Sequence, residues 1–333
     1  MLKTMITLVT LLVLLPTGSF AQTTITGFVD SAYFYETSAR NGEFGIDQVE
    51  IDVEHAASDE TMLRADVEWI KDGEGFVAQV EQAFATWTSP LGCMVSLGKF
   101  NAPMGFELLD PPDMFQYSHS LLFDFAIPTN LTGLRIARDL GGGVDAVAHV
   151  SNGWDRETAD ANVTFGGRLG YTHGGFAGGI SAISGREEGE PDIEGDPLPT
   201  LRRTVLDVDL GYVVENWTFG GEFNRGDATL NGNVDAGWTA AMGMAHVDLT
   251  DRYGVTVRYD WFDDADGFVF GPVGGEVQTR QSITLAPTLV LDDGFGVIVE
   301  FRMDTSDQDA FLDSDGEPTD TTTSVAVEAT YVW

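Results

Sequence analysis

Along most of this chain apolar and polar side chains alternate one by one, the period of a β-strand with one apolar and one polar face. Between Met62 and Ile70, the residues Leu63, Ala65, Val67 and Trp69 share one parity and Arg64, Asp66 and Glu68 the other. Val49, Ile51 and Val53 interleave with Gln48, Glu50, Asp52 and Glu54, and Leu206, Val208 and Leu210 with Asp207 and Asp209. The same reading gives Val255, Val257, Tyr259 and Trp261 against Thr256, Arg258 and Asp260, and Val297, Val299 and Phe301 against Glu300 and Arg302. Helical stripes are scarce. The alternation predicts sixteen strands, over 23–36, 44–56, 61–71, 75–88, 92–100, 131–138, 143–152, 161–172, 175–185, 202–214, 216–225, 235–249, 252–262, 277–291, 294–304 and 321–333. Most are close to the roughly ten residues that a tilted strand needs to cross a bilayer, and an even number suits a closed antiparallel barrel.

The connections alternate too. Residues 57–60, 89–91, 139–142, 173–174, 215, 250–251 and 292–293 make short links. Those between them are mostly longer and polar, at 101–130, 153–160, 185–201, 226–234, 262–276 and 304–320. Short turns at one end and long loops at the other are the asymmetry of an outer-membrane barrel.

A soluble, secreted β-rich binding protein also alternates, so the two ends of the chain matter. Lys3 precedes an apolar run from Met5 to Leu15; Pro16, Thr17 and Gly18 break it, and Ser19-Phe20-Ala21 offers small residues at −3 and −1. This reads as a secretory signal over 1–21, with 22–333 as one barrel domain, because the run falls short of the roughly 20 residues of a membrane helix. The last strand carries Val325, Val327, Ala329, Tyr331 and Trp333 on one face, an aromatic ending like the assembly signal of bacterial outer-membrane barrels, and Tyr331 and Trp333 are assigned that role.

Composition narrows the function. With 17 Lys and Arg against 53 Asp and Glu the chain carries a formal charge of −36, which argues against a nucleic-acid partner. Its 43% hydrophobic and 21% charged residues exclude disorder, and the 39 glycines and 21 phenylalanines fit strands and tight turns. The single cysteine, Cys93, rules out an intramolecular disulfide and a Cys-based zinc site.

The stretch Gly98-Lys99-Phe100-Asn101-Ala102-Pro103-Met104-Gly105-Phe106-Glu107, with Tyr117-Ser118-His119-Ser120-Leu121-Leu122-Phe123, Thr132-Gly133-Leu134-Arg135 and Ser151-Asn152-Gly153-Trp154-Asp155, resembles the OmpL-like family of β-barrel porins. The resemblance implies a pore-forming barrel in the bacterial outer membrane and does not name a solute. Its expected partners are outer-membrane lipid and lipopolysaccharide, the barrel-assembly machinery, and small hydrophilic solutes or ions, with a homotrimer as the candidate oligomer and no cofactor.

If the apolar parity faces lipid, the other lines the lumen. That places Glu50, Asp52, Glu54, Asp66, Glu68, Glu81, Asp207, Asp209, Glu222, Asp248, Asp260, Glu300 and Glu328 inward, with the cations Arg64, Arg135, Arg168, Arg258, Arg280 and Arg302. A sixteen-strand barrel is wide enough to hold water, so these charges are expected to stay solvated. The connection 101–130 carries large apolar residues, among them Leu108, Phe115 and Phe123, which would be unstable exposed to water. It is the third loop at its end of the barrel, which in general porins folds inward to narrow the pore. Glu107, Asp110, Asp113 and Asp124, facing Arg135, are therefore the expected constriction, with Asp110-Pro111-Pro112-Asp113 stiffening its middle. A transverse field between these acids and an arginine-bearing wall would favour cations. An arginine ring at the narrowest point would instead select anions.

Three other signals remain. His149-Val150-Ser151-Asn152-Gly153 matches a string of outer-membrane phospholipases, but parity points His149 and Ser151 into the lumen, away from lipid, so no enzyme is expected. Asp304, Asp307, Asp309, Asp313, Asp315, Glu317 and Asp320 crowd one loop, and the twelve-residue calcium-loop spacing is absent. Tryptophans 69, 87, 154, 217, 261 and 333 fall near strand ends, as interfacial belts require.

Overall fold

The computed structural model describes residues 21–38, 40–73, 75–159, 162–187, 200–230, 234–270, 276–292 and 294–333. The expected signal segment 1–21 lies outside them except for Ala21. Alternation makes each strand two-faced, and hydrogen bonding of every strand to both neighbours closes the set so that no edge is left. The barrel strands are β1 (Gln22–Glu36), β2 (Asn41–Ala56), β3 (Thr61–Asp72), β4 (Gly75–Thr88), β5 (Cys93–Asn101), β6 (Asn130–Gly141), β7 (Val144–Ser151), β8 (Thr164–His173), β9 (Phe176–Glu187), β10 (Leu201–Val214), β11 (Trp217–Leu230), β12 (Val234–Asp248), β13 (Tyr253–Asp264), β14 (Gln278–Asp292), β15 (Phe295–Ser306) and, after a small two-stranded sheet of β16 (Phe311–Leu312) and β17 (Pro318–Thr319), β18 (Thr321–Val332). Each barrel strand pairs antiparallel with its neighbour in sequence, and β1 with β18 completes the closed sixteen-strand sheet. The sole α-helix among the described residues is a single turn, α1 (Leu121–Phe125), inside the segment joining β5 to β6. No described helix is long and apolar enough to cross a membrane.

The lipid-type face is a band of exposed apolar residues, including Leu97, Ile136, Leu169, Ile180, Leu206, Leu210, Val257, Ile283, Leu285 and Phe301. Trp87, Trp217 and Trp333 are exposed on the barrel. Trp154 departs from the belt expectation: it sits in the 152–163 connection, where the guanidinium of Arg203 lies 4.3 Å from its ring centre. Strand pairing also runs past the ends that the alternation indicated, as at Asn41 in β2 and Gly141 in β6, and most clearly in β11 and β12. β11 and β12 pair out to Leu230 and Val234, so residues 226–230 and Val234 of the long loop expected over 226–234 are strand, the polar Asp227 and Thr229 among them.

The lumen differs from a water-filled wall of solvated charges. Glu50, Asp66, Asp207, Arg258, Asp260, Glu300 and Glu328 are all fully buried, because loop atoms and each other's side chains cover them. An apolar core lies inside the barrel toward the long-loop end, where Val205, Ala228, Ala236, Trp238, Ala240, Met242 and Phe262 of the inner wall pack with Leu121, Leu122 and Ala126.

Candidate functional site

Segment 102–129 makes its polar contacts with inward-facing residues spread around the barrel. The backbone N–H of Phe106 donates to Glu222 Oε2 on β11 at 2.7 Å and that of Gly105 to Asp207 Oδ1 on β10 at 3.3 Å. Ser118 N–H donates to Glu300 Oε2 on β15 at 3.0 Å. Tyr117 Oη donates to Asp47 Oδ2 on β2 at 3.0 Å. Arg258 on β13 donates to Glu107 Oε1 at 2.8 Å and to the carbonyl of His119 at 2.9 Å, and Arg302 on β15 donates to the same carbonyl at 2.8 Å. Glycine makes one of these docks possible: a Cβ at Gly220 would stand 2.2 Å from the Phe106 ring.

Within the segment the polar groups are satisfied in turn. Glu107 accepts from Gln116 Nε2 and from Ser120 N–H, each at 2.8 Å. Burial alone would raise its pKa, but Arg258, His119 and the Ser120 bonds outweigh it and hold the carboxyl below its ordinary value. Ser120 caps α1 by accepting from Phe123 N–H. Asp110 precedes a 3₁₀ turn, Pro111–Asp113, whose prolines preset the backbone. Burial, then the carboxylates of Glu81, Asp113 and Asp52, push the pKa of Asp110 up to about 8, with only Arg64 opposing. Asp113 is raised for the same first reason.

Opposite this turn lies the wall of β2, β3, β4 and β6. Arg64 donates to both carboxylate oxygens of Asp66 and comes within 3.8 Å of Asp52. Their neighbours Glu50, Glu68 and Glu81 are buried. Arg135 instead lies over the rings of Phe84 and Phe100, 5.1 and 4.6 Å from their centres, contacts worth about 0.5–2 kcal/mol each; no described carboxylate pairs with it.

The sequence-derived candidates therefore divide. Asp110, Asp113, Glu50, Asp52, Asp66 and Arg64 are brought together, with Asp52 and Arg64 charged neighbours of both Asp110 and Asp113. Glu107, Arg258, Asp260, Glu300 and Arg302 form a second group that ties the segment to β13 and β15. Arg168 pairs with Asp209, beside Asp207. Arg280 stacks on Phe270, 4.0 Å from its centre. Asp124 borders the second group, with Arg302, Glu107 and Arg258 among its charged neighbours. It lines a cavity of about 440 Å³ at the long-loop end with Phe125, Trp154, Arg203, Trp238 and Phe268. His149 and Ser151 face inward and are buried; His149 Nδ1 and Ser151 Oγ each lack a hydrogen-bond partner.

Two features were not read from the sequence, the inward turn of Asp47 and the apolar inner face of β12. Asp47 and Glu81 sit at β-bulges, where an extra residue turns two consecutive side chains the same way; parity places Glu81 inward but not Asp47. The apolar inner face of β12, with Trp238 at its centre, is invisible to alternation because Ala236, Ala240, Met242 and Met244 oppose the equally non-polar Gly237, Ala241, Gly243 and Ala245.

A closed sixteen-strand barrel whose 102–129 segment binds the inner wall is matched by sequence. The family described as "Putative beta-barrel porin-2, OmpL-like" covers residues 22–332. The chain belongs to this family of β-barrel porins. No curated protein sequence matches it. Among solved structures this porin-family barrel is similar to OmpT of Vibrio cholerae, with a TM-score of 0.69 and 11% identity over 95% of this chain and 99% of that one. It is likewise similar to the outer membrane channel DcaP of Acinetobacter baumannii, at 0.69 and 10% identity over 96% and 99%. An anion-selective porin from Comamonas acidovorans gives 0.68 and 13% identity over 94% and 100%. The family and the fold make this an outer-membrane porin barrel.

Proposed function

We propose that this porin passes small hydrophilic solutes by passive diffusion, without catalysis or cofactor, and prefers cations, with segment 102–129 narrowing the lumen. The observation that carries the reading is the attachment of one segment to several sides of the barrel, to Asp47 on β2, Glu222 on β11, Arg258 on β13 and Glu300 on β15. On the β10–β15 side the segment is sealed by buried groups. On the β2–β6 side Arg64 and Asp52 keep 31% and 22% of their side-chain surface exposed, which supports a water path between that wall and the turn bearing Asp110 and Asp113. Carboxylates surround this path more densely than arginines, so a permeating anion meets a repulsive potential.

A homotrimer is the oligomer we favour, since OmpT of Vibrio cholerae has been described in a trimer form; lipopolysaccharide and the barrel-assembly machinery are its proposed partners in the membrane, with Tyr331 and Trp333 as the assembly signal. Planar-bilayer recording tests the reading. Discrete conductance steps from purified protein are expected, and their absence would overturn it. Phospholipid hydrolysis lost in His149→Ala would replace it with an enzyme.

A further inference from the structure

We infer that the barrel wall holds a calcium site built from Glu50 on β2, Glu68 on β3 and Glu81 on β4. One carboxylate oxygen from each lies within 4.8 Å of the others. Oxygens no farther apart than this can share one cation at calcium–oxygen bonds of about 2.4 Å, and the flexible, oxygen-rich coordination of calcium suits three carboxylates better than the near-ideal, water-rich octahedron that magnesium demands. An all-carboxylate donor set selects a hard cation over zinc or copper.

A cluster of acids alone would mean little. The second observation is Glu81 itself: it is 1% exposed, and neither of its carboxylate oxygens has a hydrogen-bond partner. A buried carboxylate aimed at two others with nothing to bind is an unfilled half of an interaction. The backbone makes a special arrangement to put it there. The pairing of β3 with β4 slips between Asp66 and Val67, so that Glu81 and Gln82 both turn inward. Gln82 is used at once, donating to Asp66 at 2.7 Å and accepting from Asn101 N–H at 3.1 Å, while Glu81 is left for something the chain does not supply.

The nearby cations are already committed. Arg64 is bound to Asp66 and Asp52. Lys99 is bound to Glu157 and to the carbonyl of Val80. No cation forms an ion pair with any of the three glutamates among the described residues, and the side chains that donate hydrogen bonds to them are amides. Gln48 donates to Glu50 at 3.0 Å and to Glu68 at 2.8 Å, and Gln79 donates to Glu68 at 2.7 Å. Such neutral donors orient ligating carboxylates without neutralising them. The chemical rival is a proton shared among the carboxyl groups, which fills the same space at no metal.

Calcium titration calorimetry on the folded protein in detergent, stripped with EDTA and held at neutral pH, separates the two. One saturable calcium site per chain is expected, weakened at least tenfold in Glu81→Gln and in Glu50→Gln, with calcium raising the unfolding temperature of the wild type and not of these variants. The double variant Asp313→Asn and Asp315→Asn, in the acidic loop between β15 and β18, is expected to keep the site. If Glu81→Gln does not fold, Glu81→Asp keeps the charge on a shorter arm and is expected to bind more weakly than wild type. A wild type that takes up no calcium, as proton sharing requires, overturns the inference. So does unchanged affinity in a folded Glu81 variant, or loss of the site on neutralising Asp313 and Asp315. None of these outcomes depends on whether the barrel conducts.

Discussion

Arg258 in β13 and Glu107, 151 residues earlier in the segment between β5 and β6, meet at 2.8 Å with both side chains withdrawn from solvent. The guanidinium also touches Asp260 at 3.1 Å and the His119 carbonyl at 2.9 Å, so one side chain bonds the wall to two parts of the segment. Removing one partner of a buried pair typically costs about 3–5 kcal/mol, because the other charge is stranded. Asp260 would still balance Arg258 in Glu107→Ala, which puts the expected loss at the lower end. The heat-modifiable folded band should therefore disappear at a lower temperature in Glu107→Ala, and proteases should cut within 102–129 sooner than in wild type.

The same pair sets an acid limit. Glu107 has its pKa lowered in the folded protein, so its contribution to stability is complete above the ordinary glutamate value of 4.5 and is lost as pH falls through the lower folded value. Unfolding followed by near-UV circular dichroism should show Glu107→Gln differing from wild type at pH 7 and converging on it well below pH 4.5.

Phe106 and Gly220 test the docking by packing alone. A side chain at Gly220 would overlap the phenyl ring, and overpacking of this kind costs about 1–3 kcal/mol. Gly220→Val should lower the unfolding temperature, and adding Phe106→Ala should restore part of it. Strict additivity of the two changes would mean that the ring does not lie against Gly220.

Much of this was legible in the sequence. Where polar and apolar residues alternate cleanly, as at Leu206 to Leu210 or Arg64 to Glu68, the parity alone locates lipid and lumen. It fails for β12, whose two faces are both non-polar, and so the seat of α1 on Trp238 and Ala240 could not be foreseen. It fails again at Asp47, since a bulge changes which residues point inward without marking the composition. The crowded acids of 304–320 drew attention because they are adjacent in sequence. Asp313 in fact accepts the N–H groups of Glu317 and Asp315, which lower its pKa and close a turn. The acids that come together in space, Glu50, Glu68 and Glu81, are spread over three strands, and only pairing register unites them.

If Asp110 borders the ion path as proposed, the pore is expected to be pH-sensitive. Burial and the facing carboxylates of Glu81, Asp113 and Asp52, opposed by Arg64, raise its pKa to about 8. It is neutral through the acid range and gains its charge as pH rises past that value; the stability of the folded state is largest below 3.8 for this group and declines through pH 8. In EDTA-treated buffer, cation preference should increase between pH 6 and pH 9 in wild type and much less in Asp110→Asn.

Trp333 reaches back to the first strand. Its backbone N–H donates to the Gly27 carbonyl at 3.1 Å, and a Cβ at Gly27 would stand 2.3 Å from the backbone oxygen of Glu50 and 2.6 Å from the indole. Closure of β1 on β18 thus uses the aromatic end directly. Trp333→Ala and Gly27→Val should each reduce the fraction of chains recovered as a heat-modifiable band from outer membranes, and unchanged recovery in both would remove Trp333 from assembly.

Ion selectivity tests the central claim most directly. Reversal potentials under a potassium chloride gradient should show the wild-type pore favouring potassium, with the preference shrinking as salt screens charges beyond about 8–10 Å. At pH 9, where Asp110 carries its charge, neutralising Asp110, Asp113 and Asp124 together should shift the reversal potential toward zero. A wild-type pore that favours chloride, or a reversal potential unmoved by the triple substitution, would contradict the proposal that the 102–129 segment sets the filter.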